Sequence, residues 1–561
     1  MSDLPWIKSY PEGVRWDAEL PTMPVQQILR DAAARFGDKP ALSFMGSTLG
    51  YRQFDRLVDQ AARGLQALGV GPGVHVGLFL PNTLHYPISL FAVLRAGGTV
   101  VNYSPLDVEK VLAHKIEDSR TDLMITLDSP ALLPQMQRLL DSTRLKTLVI
   151  GEPGDRFDGS GGPALADPRQ QRFSQLLAND GAPQEHPLGD LRDALAVIQY
   201  TGGTTGLPKG AMLTHANLSS ACAQYVASSQ TVPPSIRFGE ERLLVVLPLF
   251  HIYSLTVNLL LGVRCGAELV LHPRFDLDLL MKDLAERRIS IFAGVPTMYM
   301  AIVNHPSAAT ADLRSLSFCG SGGAPLPAEL AARFTQLTGC TIGEGWGMTE
   351  TSPTGTFSPI TGPRHLGSCG IPLPGILLKL VSLGDPSKDA ARGEPGELCI
   401  KGPNVMKGYW NNPKATAESM TADGYFRSGD IATMDDDGFF SIVDRTKDML
   451  LCGGYNVYPR IIEEALYEHP AVREACVIGI PDAYRGQSPK AFVSLKSGAA
   501  PFMLDELKRF LEDKIGKHEM VQALEIRAEL PKTAVGKLSK RDLVEEEAAR
   551  RASMTGAAEN G

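Results

Sequence analysis

Apolar residues recur every third or fourth position across residues 25–36 and 54–68, the spacing of one buried helical face. Residues 74–80, 99–102 and 123–126 are apolar without alternation, which predicts strands buried on both faces. The same rhythm returns at 243–249, 289–293 and 316–318. Strands separated by helices predict layered α/β structure with largely parallel sheets. Residues 151–168 are turn-rich and read as a surface excursion. From about residue 375 the texture changes to short strands at 376–382, 396–401 and 438–443, which predicts a small β subdomain. Residues 446–545 read as a small α+β unit, with a helix at 461–467, strands at 476–480 and 491–495, and an amphipathic helix at 504–516. Residues 546–561 are charged, small and weakly apolar, and are expected to form a disordered tail.

The expected class is therefore α/β and α+β. A large body spans 1–445, a small mobile C-terminal domain spans 446–545, and a tail follows. A chain of 561 residues is too long for one core. The formal net charge of −8 argues against nucleic acid held by a general basic surface. Eight cysteines lie scattered with no C-x-x-C pair, so neither a disulfide framework nor a zinc site is indicated. The N-terminal residues lack the pattern of a secretory leader. The most apolar stretches, 243–250 and 255–263, are too short to cross a bilayer. These features point to a reducing cytoplasm and leave peripheral contact with a membrane open.

Residues 200–210, Tyr-Thr-Gly-Gly-Thr-Thr-Gly-Leu-Pro-Lys-Gly, follow a strand-like run. Glycines let backbone amides approach a ligand, and threonine hydroxyls and an ammonium add donors, which suits phosphate oxygens. The spacing is not that of a Walker A loop, because Leu207 and Pro208 separate Gly206 from Lys209 and Gly210 follows. Five more motifs follow in order. Ser321-Gly-Gly-Ala-Pro325 is a second glycine cluster after a strand. Gly345-Trp-Gly-Met-Thr-Glu350 offers an aromatic plate, a hydroxyl and a carboxylate. Tyr425-Phe-Arg-Ser-Gly-Asp430 ends in an acid, and Asp444-Arg-Thr-Lys-Asp448 marks the join to the small unit. Pro531-Lys-Thr-Ala-Val-Gly-Lys537 puts a lysine on a glycine loop. By motif alone, Asp430 also suits a turn cap, Arg445 a surface ion pair, and Lys532 and Lys540 compete with Lys537.

Together these motifs, ordered across residues 25–545, resemble the adenylate-forming superfamily of acyl-CoA synthetases, luciferases and adenylation domains. Tyr86-Pro-Ile-Ser-Leu-Phe-Ala-Val-Leu-Arg-Ala-Gly97 and Gly454-Tyr-Asn-Val-Tyr-Pro459 resemble bacterial medium- and long-chain fatty-acyl-CoA ligases. The resemblance implies that a carboxylate attacks the α-phosphate of ATP, and that the thiol of CoA, a cosubstrate, then displaces AMP. It implies that Thr201, Gly202, Thr204, Thr205 and Lys209 hold the β- and γ-phosphates, and that Glu350 ligates Mg²⁺. Gly323, Ala324, Trp346 and Gly347 would frame adenine, Thr349 would meet the α-phosphate, and Asp430 with Arg445 would hold the ribose. The family usually has tyrosine at Trp346, so a hydroxyl is lost there. Lys537 would bridge the α-phosphate and the attacking carboxylate. Lys447 would be a hinge, and Gly453, Gly454 and Tyr455 would line a CoA channel. Leu451 stands where the family often has lysine, so that lysine's role is not carried over.

The segment Leu247-Pro-Leu-Phe-His-Ile-Tyr253 resembles the substrate-proximal motif, with His251 beside the carboxylate; by itself a histidine in an apolar run reads more often as a core residue, and the resemblance reverses that. No aspartate occurs in 241–262, which argues against an amino acid. Leu255, Val257, Leu259, Val295 and Met298 are expected to line an aliphatic site. Arg264 and Arg274 keep a dicarboxylate in play, and an aryl acid, a luciferase-like oxygenase and a non-catalytic acyl-nucleotide binder stay open. The resemblance also leaves open a homodimer, placement at the inner membrane face of a bacterium, and acetylation of Lys537, which would remove its charge.

Overall fold

The computed structural model describes residues 4–558 apart from 153, 155–156, 158–164, 202–207, 325, 366, 454, 483 and 534–535, with side chains to Arg551. Two largely parallel sheets form the body. In the eight-stranded sheet the order is Gly408–Tyr409, Lys209–Thr214, Leu195–Thr201, Thr99–Asn102, His75–Leu78, Thr121–Leu127, Thr147–Gly151, Gln170–Arg172. Its last six strands run parallel, while Lys209–Thr214 turns back antiparallel on Leu195–Thr201. The nine-stranded sheet has a parallel centre that includes Arg242–Val245, Ile291–Gly294, Phe318–Gly322 and Ile342–Trp346. A four-stranded antiparallel sheet, Leu377–Ser382, Gly396–Lys401, Phe426–Met434 and Phe440–Arg445, forms the β subdomain.

Helices cover the parallel sheets because their apolar stripes need a partner surface. Tyr51–Ala67 buries Tyr51, Phe54, Leu57, Val58, Ala61, Ala62 and Leu65, one face of a 3.6-residue period. Every residue of His85–Arg95 is buried, including Arg95, whose guanidinium pairs with Asp55 at 2.6 Å and Asp59 at 2.9 Å. His215–Ser228 starts at a reciprocal cap: Asn217 N donates to Thr214 Oγ1 at 3.1 Å, and Thr214 N donates to Asn217 Oδ1 at 3.0 Å.

The small lobe packs its own core of Leu450, Ile462, Val477, Val493 and Leu507 around the sheet that contains Val472–Asp482 and Gly486–Leu495. The stretch read as a frayed tail instead continues the helix Lys540–Ala558. Its side chains are anchored where Glu547 meets Lys490 at 2.8 Å, which the local sequence does not foretell. No helix among the described residues is long and apolar enough to cross a membrane.

Candidate active site

The carboxyl ends of parallel strands are where open α/β sheets bind ligands. The phosphate-loop hairpin closes with Thr201 opposite Lys209, and the Thr201 hydroxyl donates to the Lys209 carbonyl at 3.4 Å. Gly202, Thr204 and Thr205 lie outside the described residues. The Lys209 ammonium is 5.0 Å from the centroid of the Tyr409 ring.

Strands Phe318–Gly322 and Ile342–Trp346 lie side by side, with Gly322 opposite Gly345, so the second glycine cluster and the Trp346 motif leave the sheet together. Gly347 cannot carry a side chain here: a Cβ would stand 1.4 Å from the Pro353 carbonyl oxygen. The turn Thr349–Thr351 buries Glu350 at 5% exposure. Glu350 Oε1 accepts from the Tyr409 hydroxyl at 2.8 Å, and its backbone oxygen accepts from Met406 N at 2.8 Å. Burial raises the Glu350 pKa, against the Tyr409 hydrogen bond. A buried carboxylate held by a neutral phenol keeps its charge free for a cation. Among the described residues, no group of three or more His, Cys, Asp or Glu is placed to hold a metal ion. One buried carboxylate, Glu350, fits Mg²⁺, which takes few protein ligands and completes its shell with phosphate oxygens and water.

The antiparallel register of Phe426–Met434 with Phe440–Arg445 sets Asp430 opposite Arg445. Arg445 Nε meets Asp430 Oδ1 at 3.1 Å, and Trp346 Nε1 donates to Asp430 Oδ2 at 2.7 Å. The departure from tyrosine thus supplies a donor of its own. Gly323, at φ +80°, faces Lys537 so closely that a Cβ would lie 2.2 Å from Lys537 Cε and 2.5 Å from Nζ. Ala324 and Thr349 are half-buried.

Lys537 reaches this cleft from the small lobe. Its turn is closed by Thr533 N donating to Lys537 O at 2.7 Å, and docked by the Thr297 hydroxyl donating to Gly536 O at 3.1 Å. The rival lysines are engaged within the small lobe or at its join: Lys532 with Glu474 at 2.6 Å, and Lys540 with Glu463 at 3.1 Å. Desolvation and the Arg445 charge push the Lys537 ammonium down to about 8, against the pull of Asp430. His251 Nδ1 accepts from Tyr253 N at 3.3 Å, and burial, helped by Lys537, pushes its pKa down to about 3. The imidazole is therefore neutral at physiological pH.

Other expected residues sit apart. Lys447 lies in the turn after Phe440–Arg445. Gly453 adopts φ +62°, while Tyr455 is 63% exposed with its ring 5.2 Å from His518, on the outer side of the small lobe's hairpin. Gly454 is outside the described residues. Leu255 and Leu259 belong to the main core, and Val295 and Met298 to a second core. Arg274 is exposed, and Arg264 points a nitrogen at Met23 Sδ over 3.8 Å. After His251 the chain forms a π-helix, Ser254–Leu260, a rare element that favours functional sites. Sequence reading missed Tyr409 and Thr297, whose partners are 59 and 239 residues away.

The family model described as AMP-binding enzyme matches residues 29–410, and the AMP-binding enzyme C-terminal domain matches 461–537. A long-chain-fatty-acid–CoA ligase of Bacillus subtilis (strain 168) is 38% identical, covering 97% of this chain and 98% of that protein. A feruloyl-CoA synthase of Amycolatopsis sp. is 36% identical over 88% of this chain and 93% of its own. The crystal structure of ATP-bound MatB from Rhodopseudomonas palustris superposes with a TM-score of 0.83 at 27% identity, covering 93% of this chain and 99% of that one.

Proposed function

Because the chain belongs to the AMP-binding enzyme family, we propose that it is an ATP-dependent, AMP-forming acyl-CoA ligase acting on a medium- or long-chain fatty acid. The observation that carries this reading is the Lys537 ammonium lodged against Gly323, beside the Asp430–Arg445 pair.

In the first step a carboxylate oxygen attacks the α-phosphorus, the bond to the bridging oxygen breaks, and pyrophosphate leaves. Two anions must meet, and charge builds on phosphorus, so preorganised donors and positive charge lower the barrier. Lys537, protonated below about pH 8, supplies that charge where the carboxylate and α-phosphate converge. Thr201 and Lys209, with Gly202, Thr204 and Thr205, hold the departing phosphates. Asp430 and Arg445 take the ribose hydroxyls, Gly323, Ala324, Trp346 and Gly347 frame adenine, and Thr349 meets the α-phosphate. Glu350 would hold Mg²⁺, which neutralises triphosphate charge when bound. Neutral His251 stands by the carboxylate as a hydrogen-bonding group that adds no charge.

In the second step the CoA sulfur attacks the acyl carbon and AMP leaves. Lys537 has no work there. A small lobe of residues 446–545 turning about Lys447 would withdraw it and bring Gly453, Gly454 and Tyr455 to the cleft, hinge motion of the kind few residues absorb.

Pyrophosphate release with and without CoA, across saturated fatty acids, C7 dicarboxylates and hydroxycinnamates, tests the reading. Turnover of C8–C16 fatty acids with AMP and acyl-CoA as products is expected, and no acyl-adenylate from any aliphatic acid overturns it. Likeness to the feruloyl-CoA synthase favours an aryl acid as the second reading, and preference for hydroxycinnamates in the same panel would select it.

A further inference from the structure

Tyr409 stands between the strand Lys209–Thr214 and the turn of Glu350, and the two steps above give it no task. It is 9% exposed. Its backbone and that of Gly408 pair with Ala211 and Met212, on the strand that leaves the phosphate loop. Trp410 N donates to Gly210 O at 2.7 Å and Lys407 N to Met212 O at 3.0 Å. The same segment grips the Glu350 turn. Met406 N donates to Glu350 O at 2.8 Å, and Asn404 Nδ2 donates to Thr351 O at 2.8 Å and Thr354 O at 2.7 Å. From this doubly tied position the Tyr409 hydroxyl reaches Glu350 Oε1, and its ring face meets the Lys209 ammonium.

We propose that Tyr409 is a positioning residue for the metal–triphosphate site: its hydroxyl fixes the Glu350 carboxylate, and its ring holds the Lys209 ammonium where the triphosphate arrives. This rests on the assignment of Glu350 and Lys209 above.

The chemistry selects a phenol. A carboxylate only accepts, so it needs a donor to fix its rotamer in a buried turn. An ammonium or guanidinium donor would cancel the charge that a divalent cation needs. A neutral hydroxyl occupies one oxygen and leaves the charge intact, the usual duty of groups just outside a metal's own ligands. The ring face attracts an ammonium through its quadrupole, weakly enough to release it to a phosphate. One residue thus sets two charges of opposite sign on either side of the place where a metal-bound polyphosphate would lie.

The test uses the full-length enzyme and its Tyr409→Phe and Tyr409→Leu variants, with no acyl substrate. Mn²⁺ binding to the enzyme–ATP complex is followed by the paramagnetic resonance of free Mn²⁺, and ATP affinity is measured without metal by calorimetry. Tyr409→Phe keeps the ring and removes one oxygen. It is expected to weaken Mn²⁺ about tenfold and leave metal-free ATP affinity within about twofold. Tyr409→Leu is expected to weaken Mn²⁺ to the same degree and metal-free ATP about threefold to fivefold. Wild-type Mn²⁺ affinity in Tyr409→Phe overturns the hydroxyl's role, and wild-type ATP affinity in Tyr409→Leu overturns the ring's role. Tyr409→Phe is nearly isosteric, so it decides the first point even if Tyr409→Leu does not fold. Failure of the ligase reading looks different: wild-type enzyme would bind Mn–ATP yet release no pyrophosphate with any acid.

Discussion

Lys537 differs from its neighbours in what surrounds it. Lys532 and Lys540 are neutralised by Glu474 and Glu463, whereas Lys537 meets Gly323 and shares its surroundings with Arg445 and Asp430. Lys537→Ala should reduce acyl-adenylate formation by at least about a hundredfold, the scale of removing one preorganised charge donor. It should leave thioester formation from supplied acyl-adenylate within about threefold. Parallel half-reaction assays check this, and equal losses in both would refute the assignment. The same group sets a pH dependence. Its folded pKa lies near 8, below the ordinary lysine value, so the useful protonated form is lost as pH rises through 8. The adenylation kcat/KM should fall above that pH, and Lys537→Arg, which does not deprotonate, should remove the fall. For stability the sign is opposite: the unfolded chain holds this proton more tightly, so this group's contribution rises between about pH 8 and the unfolded lysine range.

At the scale of elements, the turn from Ile342–Trp346 into Thr349–Thr351 is set by lack of space. Gly347→Ala puts a carbon into the Pro353 carbonyl, so the turn must move. The expected cost is about 2 kcal/mol in urea unfolding, with at least a tenfold loss of ATP affinity because Trp346 and Glu350 flank the shifted residue. Unchanged ATP affinity would show that the turn does not frame the nucleotide. Legibility follows the same physics. The helix Val25–Phe36 and the strands Thr99–Asn102 and Gly396–Lys401 match their sequence pattern end to end, because each buries a face that the pattern marks. The helix His85–Arg95 is buried all round, so it carries no stripe to read. The π-helix Ser254–Leu260 is buried throughout as well, and its extra residue per turn leaves no trace in an apolar run. Lys209, Glu350, Asp430 and Lys537 stand in motifs that contain glycine, and Arg445 in a charged one, so each could be picked out as a candidate from local sequence. Tyr409 and Thr297 acquire their partners only through folding, across separations that no local pattern spans.

For the molecule as a whole, polar contacts between the two bodies include Thr297 with Gly536, beside the cleft. Asp444, on the body side of the expected hinge, accepts from Arg460 N at 3.0 Å at the start of the helix Pro459–Tyr467, and Lys540 stands 4.0 Å away. This pose holds Lys537 against Gly323 and leaves Tyr455 in solvent. On the two-step reading proposed above, a full catalytic cycle requires the lobe to leave this pose.

Seating Lys537 against Gly323 leaves it only partly open to reagents. If the lobe swings out as proposed, the amine becomes more accessible to an acetyl donor or modifying enzyme, so its labelling rate becomes a clock for opening. With brief acetic anhydride pulses read by peptide mass spectrometry, ATP should slow acetylation of Lys537 several-fold while leaving the surface residue Lys532 unchanged. Equal slowing at both positions would mean that the nucleotide merely tightens the protein everywhere. If the clock runs as expected, idle enzyme would be silenced more readily than enzyme loaded with nucleotide, and modification would spare the molecules already at work.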